Sequence, residues 1–487
     1  MIMKKIYLTL FFILFIGSAY LAYLRLEFTH SLPKLNNNKF EVNGTPFTPM
    51  VLNYIVSWQT NGKDYWGSPT ADYGKLYTNK QEAHNALLSE FELIKELGFN
   101  TVRIVGIGEP FIDKELGTLT FRLKINEAKD TLINLDNTII YKNYFNSIDE
   151  VLKIASQSGL KVILLTKLSF GHVSSSNFLE KITTRFKNNK TILALDLFNE
   201  PLYFGVPEKE KKEVYAIVSA WNNIVKSNDV KRLTTIGLVG VREVFRWDPN
   251  ILPVDFISYH PYEYEPEQVR NEIYWFGKYT KKPWIIGETA IPADNDSIPY
   301  EKQAQFAKKT IQQTFYCGGI GYSWWQYKDV EWGFYHANFM GIINRNGETK
   351  TSTGKTINGT PKPIIKQFKN INIKANSDSC LCLNNYYNYS ESDSFRIVGV
   401  IIDQKNNPIE GGVVLGWNED WTHSYHTITK KDGSFELLGS YPFYHWIASA
   451  TEYTTIRGDL SPDSASIHNK MPTINLGKLK IKKLDLY

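Results

Sequence analysis

From Phe40 to about Lys369 two patterns alternate along the chain: an amphipathic stretch of helical period that stops at glycine or asparagine, then a short, nearly continuous apolar run. Lys80 to Leu97 stops at Gly98 and feeds Thr101-Val102-Arg103-Ile104-Val105. Ser147 to Ser158 stops at Gly159 and feeds Val162-Ile163-Leu164-Leu165. A third stretch from Asn177 stops at Asn188-Asn189 before Ile192-Leu193-Ala194-Leu195-Asp196-Leu197. Residues that tolerate positive φ end helices, and unbroken apolar runs suit strands covered on both faces. Helix and strand in alternation build a parallel sheet.

Eight such runs are present: Met50 to Tyr54, Thr101 to Val105, Val162 to Thr166, Ile192 to Leu197, Thr234 to Val239, Asp255 to Tyr259, Trp284 to Gly287 and Ile320 to Trp324. Eight parallel strands in about 330 residues predict an α/β fold of the (β/α)8 or TIM-barrel type. A doubly wound open sheet is the alternative, and it gives no reason for eight strands. Gly240 to Val254 is short and carries Pro249 and Pro253, so the helix expected there is stunted or missing.

The pattern changes after Lys369. Asn370 to Ser394 is rich in Asn, Ser, Asp and Tyr without apolar period and reads as a linker. Short β-type runs follow at Phe395 to Ile402, Gly412 to Trp417, Tyr425 to Thr429, Ser434 to Leu438, Trp446 to Ala450 and Leu476 to Ile481, with turn signals such as Lys431-Asp432-Gly433 between them. They predict a small all-β sandwich. At the other end, Lys4 and Lys5 precede an apolar run from Ile6 to Leu24 that reads either as a signal peptide, cleaved near Gly17-Ser18-Ala19, or as a retained membrane anchor. Both readings export the rest of the chain, and the membrane is expected to be met only through this segment. The expected organisation is 1–27 signal or anchor, 28–369 barrel, 370–394 linker and 395–487 sandwich.

Composition narrows the partners. A 43% hydrophobic, 22% charged chain is globular, and a net charge of +5 without a basic stripe excludes nucleic acid as an expected partner. Three cysteines, Cys317, Cys380 and Cys382, define no disulfide framework. The aromatic fraction of 14% suits cores and sugar faces alike.

Catalytic groups in a barrel come from the C-terminal ends of its strands. There the sequence places Arg103, His172, Asn199, Glu200, His260, Tyr262, Glu288, Trp324 and Trp325. Strands four and seven face each other across a closed barrel, so Glu200 and Glu288 can share one cleft. Glycoside hydrolysis needs two such carboxyls, one protonated and one ionised. Arg103 and Tyr262 are placed to keep Glu288 ionised, while a drier setting would leave Glu200 protonated.

These residues resemble a known family. Leu197-Phe198-Asn199-Glu200-Pro201 resembles the Asn-Glu-Pro motif of the retaining (β/α)8 glycoside hydrolase clan that contains glycoside hydrolase family 5, the cellulase and β-mannanase family. Gly98 to Arg103, Ser258-Tyr259-His260-Pro261-Tyr262, Pro283 to Glu288 and Trp324-Trp325 resemble that family's other strand-end motifs, in its order, over residues 38 to 369. The resemblance implies Glu200 as acid/base, Glu288 as nucleophile and Asn199 as donor to the sugar 2-hydroxyl. It implies Arg103 and Tyr262 as the groups that orient Glu288, and His260 as a contact to substrate or to a catalytic carboxylate. A strand-eight tryptophan would stack on the sugar, Trp325 being favoured over Trp324. The expected substrate is a β-linked poly- or oligosaccharide, with no cofactor and no metal. Thr166-Lys167-Leu168 departs from the histidine often found at the end of strand three, which leaves contacts at that edge open. Ile397 to Phe435 resembles carboxypeptidase-regulatory-like sandwiches, which act as spacers or binding partners.

Each residue also has a bland reading. A glutamate before proline can cap the next helix, a lone histidine can be structural, and Trp58, Tyr65 and Trp66 can be loop packing instead of sugar platforms. At the level of the whole chain, the alternatives are a glycan-binding barrel without turnover and a transglycosylase.

Overall fold

A computed structural model describes residues 32–486, apart from 71–75, 113–117, 127–128, 136, 169–172, 205–208, 264, 332–333, 370–378, 389–393 and 469–470. Eight parallel strands form the barrel: β1 (Met50–Thr60), β2 (Thr101–Gly106), β3 (Lys161–Leu165), β4 (Ile192–Asn199), β5 (Leu233–Leu238), β6 (Ile257–Tyr259), β7 (Trp284–Ile286) and β8 (Tyr322–Trp324). Neighbours pair in the order β8-β1-β2-β3-β4-β5-β6-β7. Backbone bonds from Ile286 N to Gly321 O (3.2 Å) and from Ile320 N to Trp284 O (2.9 Å) close the ring between β7 and β8. Closure leaves no sheet edge within the barrel.

The six main helices around it are α1 (Lys80–Glu96), α2 (Thr138–Gln157), α3 (Val173–Arg185), α4 (Lys211–Asn228), α5 (Gln268–Tyr279) and α6 (Tyr300–Tyr316). Asn79 caps α1 by accepting from Glu82 N. Gly98 ends the turn after it at φ 103°, where a Cβ would lie 2.6 Å from Phe368 O, so both space and conformation demand glycine. The short connection before β6 holds one 3-10 turn, Val241–Phe245, in place of a helix. A hairpin of Lys39–Val42 and Thr45–Phe47 covers the bottom of the barrel. There Phe40 meets Phe256 edge-on at 5.1 Å, beside the inward-facing Val51, Ile163, Leu193 and Ile285.

β1 runs beyond the expected Tyr54 because it continues into an antiparallel pair with Tyr65–Pro69. That pairing turns Trp58 and Trp66 inward, 2% and 1% exposed, with Trp58 edge-on to Tyr144. Both are packing residues and not exposed sugar platforms; Tyr65 tilts against Trp58.

The C-terminal part forms two four-stranded sheets. One orders β12-β9-β16-β15, from β9 (Phe395–Ile402), β12 (Ser434–Gly439), β15 (Ser466–His468) and β16 (Met471–Lys480). The other orders β11-β10-β13-β14, from β10 (Val413–Trp417), β11 (Ser424–Ile428), β13 (His445–Ser449) and β14 (Ile456–Asp459). Ile397, Ile401, Val414, Phe435, Leu437 and Ala448 form their shared core. The edge strands β14 and β15 lack an apolar run, which hid them from the hydrophobic pattern.

The connecting segment and the sandwich both contact the barrel. The described part of the linker, residues 379–388, is fastened to the barrel: Cys380 forms a disulfide with Cys317, Leu383 N donates to Asn271 Oδ1 at 2.8 Å, and Tyr386 is fully buried. Spacing could not reveal this bond, because 63 residues separate its ends. The sandwich is likewise docked. Trp275 Nε1 donates to Gly411 O at 2.9 Å. The buried Lys211 Nζ donates to Asp248 Oδ2 and to Ala450 O, both at 2.9 Å. The apolar run from Ile6 to Leu24 lies outside the described residues; among those described, no helix is long and apolar enough to cross a membrane.

Removing one partner of a buried ion pair strands the other charge, at a cost of about 3–5 kcal/mol. Lys211→Ala should therefore destabilise the protein by about that much in urea unfolding, and limited proteolysis should cut first between barrel and sandwich. A loss under about 0.5 kcal/mol would mean that the pair does not hold the two parts together.

Candidate active site

Side chains alternate along a strand, and this decides what faces the barrel interior. Leu52 and Tyr54 join the outer core, so Asn53 points inward; Val102 and Ile104 do the same for Arg103, and Leu195 and Leu197 for Asp196. All three inward groups are buried: Asn53 and Asp196 at 0% exposure, Arg103 at 1%. They meet at the guanidinium. Arg103 Nε donates to Asp196 Oδ2 at 2.8 Å. One terminal nitrogen donates to Asn53 Oδ1 at 3.0 Å and Glu288 Oε1 at 2.5 Å. The other donates to Asn199 Oδ1 at 2.7 Å. Asn53 in turn donates to Gly287 O, Ser323 Oγ and Trp324 O.

Glu288, just past β7, also accepts from the Tyr262 hydroxyl at 3.2 Å. Glu200, just past β4, stands at φ 48° and donates its N–H to Gly237 O at 2.9 Å. Its Oε1 lies 3.1 Å from His260 Nδ1, which is 3.6 Å from Glu288 Oε1. One side-chain atom each of Glu200, His260 and Glu288 lies within 4.8 Å of the others. The His260 ring occupies a slot made by two missing side chains: a Cβ on Gly237 would sit 2.4 Å from its Cε1, and one on Gly287 2.8 Å from its Nε2.

Burial drives the protonation pattern. It lifts Glu200 to about 7, against the opposing pull of Arg103 and Lys167. It lowers His260 to about 4, so the ring is neutral at neutral pH. Burial raises Glu288 as well, but Arg103 and the Tyr262 hydrogen bond oppose it. With two donors on Glu288 and none but His260 on Glu200, the proton belongs on Glu200.

The structure thus brings together Arg103, Asn199, Glu200, His260, Tyr262 and Glu288. Trp324 is the exception: it is fully buried against Phe306 and Phe368, with Nε1 donating to Met340 O at 2.8 Å, and is withdrawn from the sugar-contacting group. Trp325 is half-buried, its N–H bonded to Thr289 O beside Glu288. His172 lies outside the described residues. Lys167, at the end of β3, pairs with Glu109 at 3.7 Å. Asn53 and Asp196 went unnoticed in the sequence, although a single polar residue inside an apolar strand was the signal for each. Two described groups gather three atoms that a metal ion could use, Glu200/His260/Glu288 and Glu263/Glu272/His426. In the first, the Arg103 guanidinium already supplies a cation to Glu288.

Paired carboxyls on facing strands of a closed (β/α)8 barrel, one lifted by burial to about 7 and one held by an arginine, match the class of site used in glycoside hydrolysis. The family model described as cellulase (glycosyl hydrolase family 5) matches residues 67–329, more than half of the chain, and the chain belongs to that family. Among solved structures it is similar to an exo-beta-1,4-mannosidase from Opitutaceae bacterium strain TAV5, at 15% identity and TM-score 0.48, over 69% of this chain and 61% of that one. It is also similar to an endo-1,4-beta-mannanase from Rhizomucor miehei, at 15% identity and TM-score 0.42, over 61% of this chain and 90% of that one. The chain spans less than two thirds of the first of these proteins. No protein of curated function matches it.

A carboxyl lifted from 4.5 to about 7 stabilises the fold fully below pH 4.5 and loses that contribution as pH rises through 7. Glu200→Gln imitates the protonated form at every pH. The variant should match the parent in urea unfolding near pH 4 and exceed it at pH 8 by up to about 3 kcal/mol. Equal stabilities at both pH values would show that Glu200 ionises normally.

Proposed function

We propose that the protein hydrolyses β-glycosidic bonds of a poly- or oligosaccharide with retention of configuration, Glu200 acting as acid/base and Glu288 as nucleophile. The observation that carries this reading is the closeness of the two carboxyls, with an oxygen of each within 4.8 Å of the other. Retaining enzymes hold them about 5–5.5 Å apart, whereas inverting ones leave about 6.5–9.5 Å for a water.

In the first step the Glu288 carboxylate bonds to the anomeric carbon while Glu200 gives its proton to the departing glycosidic oxygen. The sugar is left as an ester of Glu288. In the second, Glu200, now ionised, takes a proton from water, the water oxygen bonds to the anomeric carbon, and the ester bond breaks to restore Glu288. Arg103 and Tyr262 hold the attacking carboxylate in place. Arg103 also holds the Asn199 oxygen, so its amide nitrogen is what Asn199 offers the sugar 2-hydroxyl. Neutral His260 positions Glu200, and Trp325 is the stacking surface at the cleavage point. Export of the chain, expected from the apolar run Ile6 to Leu24, fits a polysaccharide substrate.

The test is hydrolysis of β-linked polysaccharides and aryl glycosides, with product anomers followed by NMR. Retention is expected. Glu200→Ala should lose about 10²–10⁴-fold on polysaccharide but far less on a dinitrophenyl glycoside, whose leaving group needs no proton. Glu288→Ala should lose activity on both. The alkaline limb of kcat/KM should fall near the Glu200 value of about 7. Inversion, or an active Glu288→Ala protein, would refute the assignment; binding without turnover in the parent would favour a glycan-binding barrel.

A further inference from the structure

Where the sandwich docks, it forms a partly open cavity of about 710 Å³ against the barrel. The barrel wall is the 3-10 turn Val241–Phe245 with Trp247, and the turn that follows Glu200, Pro201 and Leu202. Trp417, Trp421 and Trp446 form the opposite wall. The cavity is tied to the candidate active site by short links. Leu202 N donates to Glu243 Oε1 at 2.9 Å, and Trp247 stacks at 5.6 Å on Phe198, two residues before Glu200.

Two features distinguish it from an ordinary seam between two packed parts. First, Trp421 remains 58% exposed at φ 61°, a strained conformation for a bulky residue. The loop around it is locked, with Trp421 N donating to Asn418 O and His423 N to Asn418 Oδ1 at 2.9 Å. One face of the Trp421 ring stacks on His445 at 4.0 Å, and His445 is anchored by Asp459 at 2.7 Å. Holding a large apolar ring in water at the cost of backbone strain fits a ring that is kept for a ligand. Second, four cationic side chains, Lys209, Arg242, Arg246 and Arg457, line the cavity beside two carboxyls, Glu243 and Asp459; Lys209 also pairs with Glu213 at 3.7 Å, and the arginines have contacts of their own. Glu243 accepts backbone N–H groups of Leu202 and Val239, and Asp459 is engaged by His445.

We propose that this cavity is a binding site for an anionic sugar of the glycan chain, its ring stacked on the tryptophans and its acidic group held by the arginines. Tryptophan faces accept the C–H face of a sugar ring, and guanidinium forks match carboxylate or sulfate oxygens. That the ligand is a sugar rests on the glycoside hydrolase reading; its charge rests on the cavity alone. The sandwich is then part of the recognition surface.

The test uses the full chain carrying Glu288→Gln, so that nothing is turned over, in calorimetric titrations with three matched probes. These are the β-1,4-linked tetrasaccharide of glucuronic acid, its carboxyl-reduced form, and the reduced form sulfated at the 6-position. The acidic probes are expected to bind at least about tenfold more tightly than the neutral one, with the advantage falling as salt rises. The tighter of the two names the acidic group. Trp421→Ala should weaken all three probes, and Arg457→Ala only the acidic ones. Both altered residues are exposed, and an unchanged thermal midpoint will show that the fold is intact. Equal affinity for charged and neutral probes, or acidic binding indifferent to both substitutions, would overturn the proposal. If the parent turns over no glycoside while the acidic probes still bind through Trp421 and Arg457, the hydrolase reading fails and the cavity assignment stands.

Discussion

One buried guanidinium holds the candidate site together. Arg103 reaches strands β1 and β4 and the turn after β7 through Asn53, Asp196, Asn199 and Glu288. A cation at 1% exposure is tolerable only because two carboxylates and two amide oxygens surround it. The same arithmetic constrains the rest of the barrel mouth. One positive charge beside Asp196 and Glu288 already leaves an excess of one negative charge, and the Lys167 that acts on Glu200 is paired with Glu109, so a third ionised carboxyl at Glu200 would be poorly compensated. Burial and neutral His260 leave it to keep a proton, and the asymmetry the proposed chemistry requires follows from where the single arginine was spent.

The sandwich is docked on the barrel instead of trailing behind it. Lys211, Asp248 and Ala450 form a buried tie, while the Cys317–Cys380 disulfide and Tyr386 fix the connecting segment to helices α5 and α6. The tie sits behind the 3-10 turn that replaces the helix between β5 and β6. A full helix there would occupy the space into which Trp417 and Trp446 now look, so the shortened connection and the docked sandwich are two halves of one arrangement.

How much of this was legible in the sequence depended on whether a residue's neighbours were local. The eight barrel strands stood out because each is a short, largely apolar run set between helical stretches, and the strand-end position of Glu200, His260, Tyr262 and Glu288 followed from them. Trp324 and Trp325 could not be separated until alternation was anchored: with Trp324 against Phe306 and Phe368, its neighbour alone is left beside Glu288. The disulfide, the fastened segment 379–388 and the seam cavity depend on contacts between residues far apart in the chain, which no local pattern encodes.

Backbone geometry argues against the bland reading of Asn-Glu-Pro, a glutamate capping the following helix. A cap residue has extended dihedrals and turns its side chain toward the N–H groups of the helix it precedes. Glu200 instead has φ 48°, a left-handed conformation unusual for a glutamate, and its carboxyl faces His260. The N–H that a cap would serve, Leu202 N, is served by Glu243 from another segment. A strained residue whose capping duty has been handed elsewhere is held for its side chain, and that side chain points into the cleft it shares with Glu288.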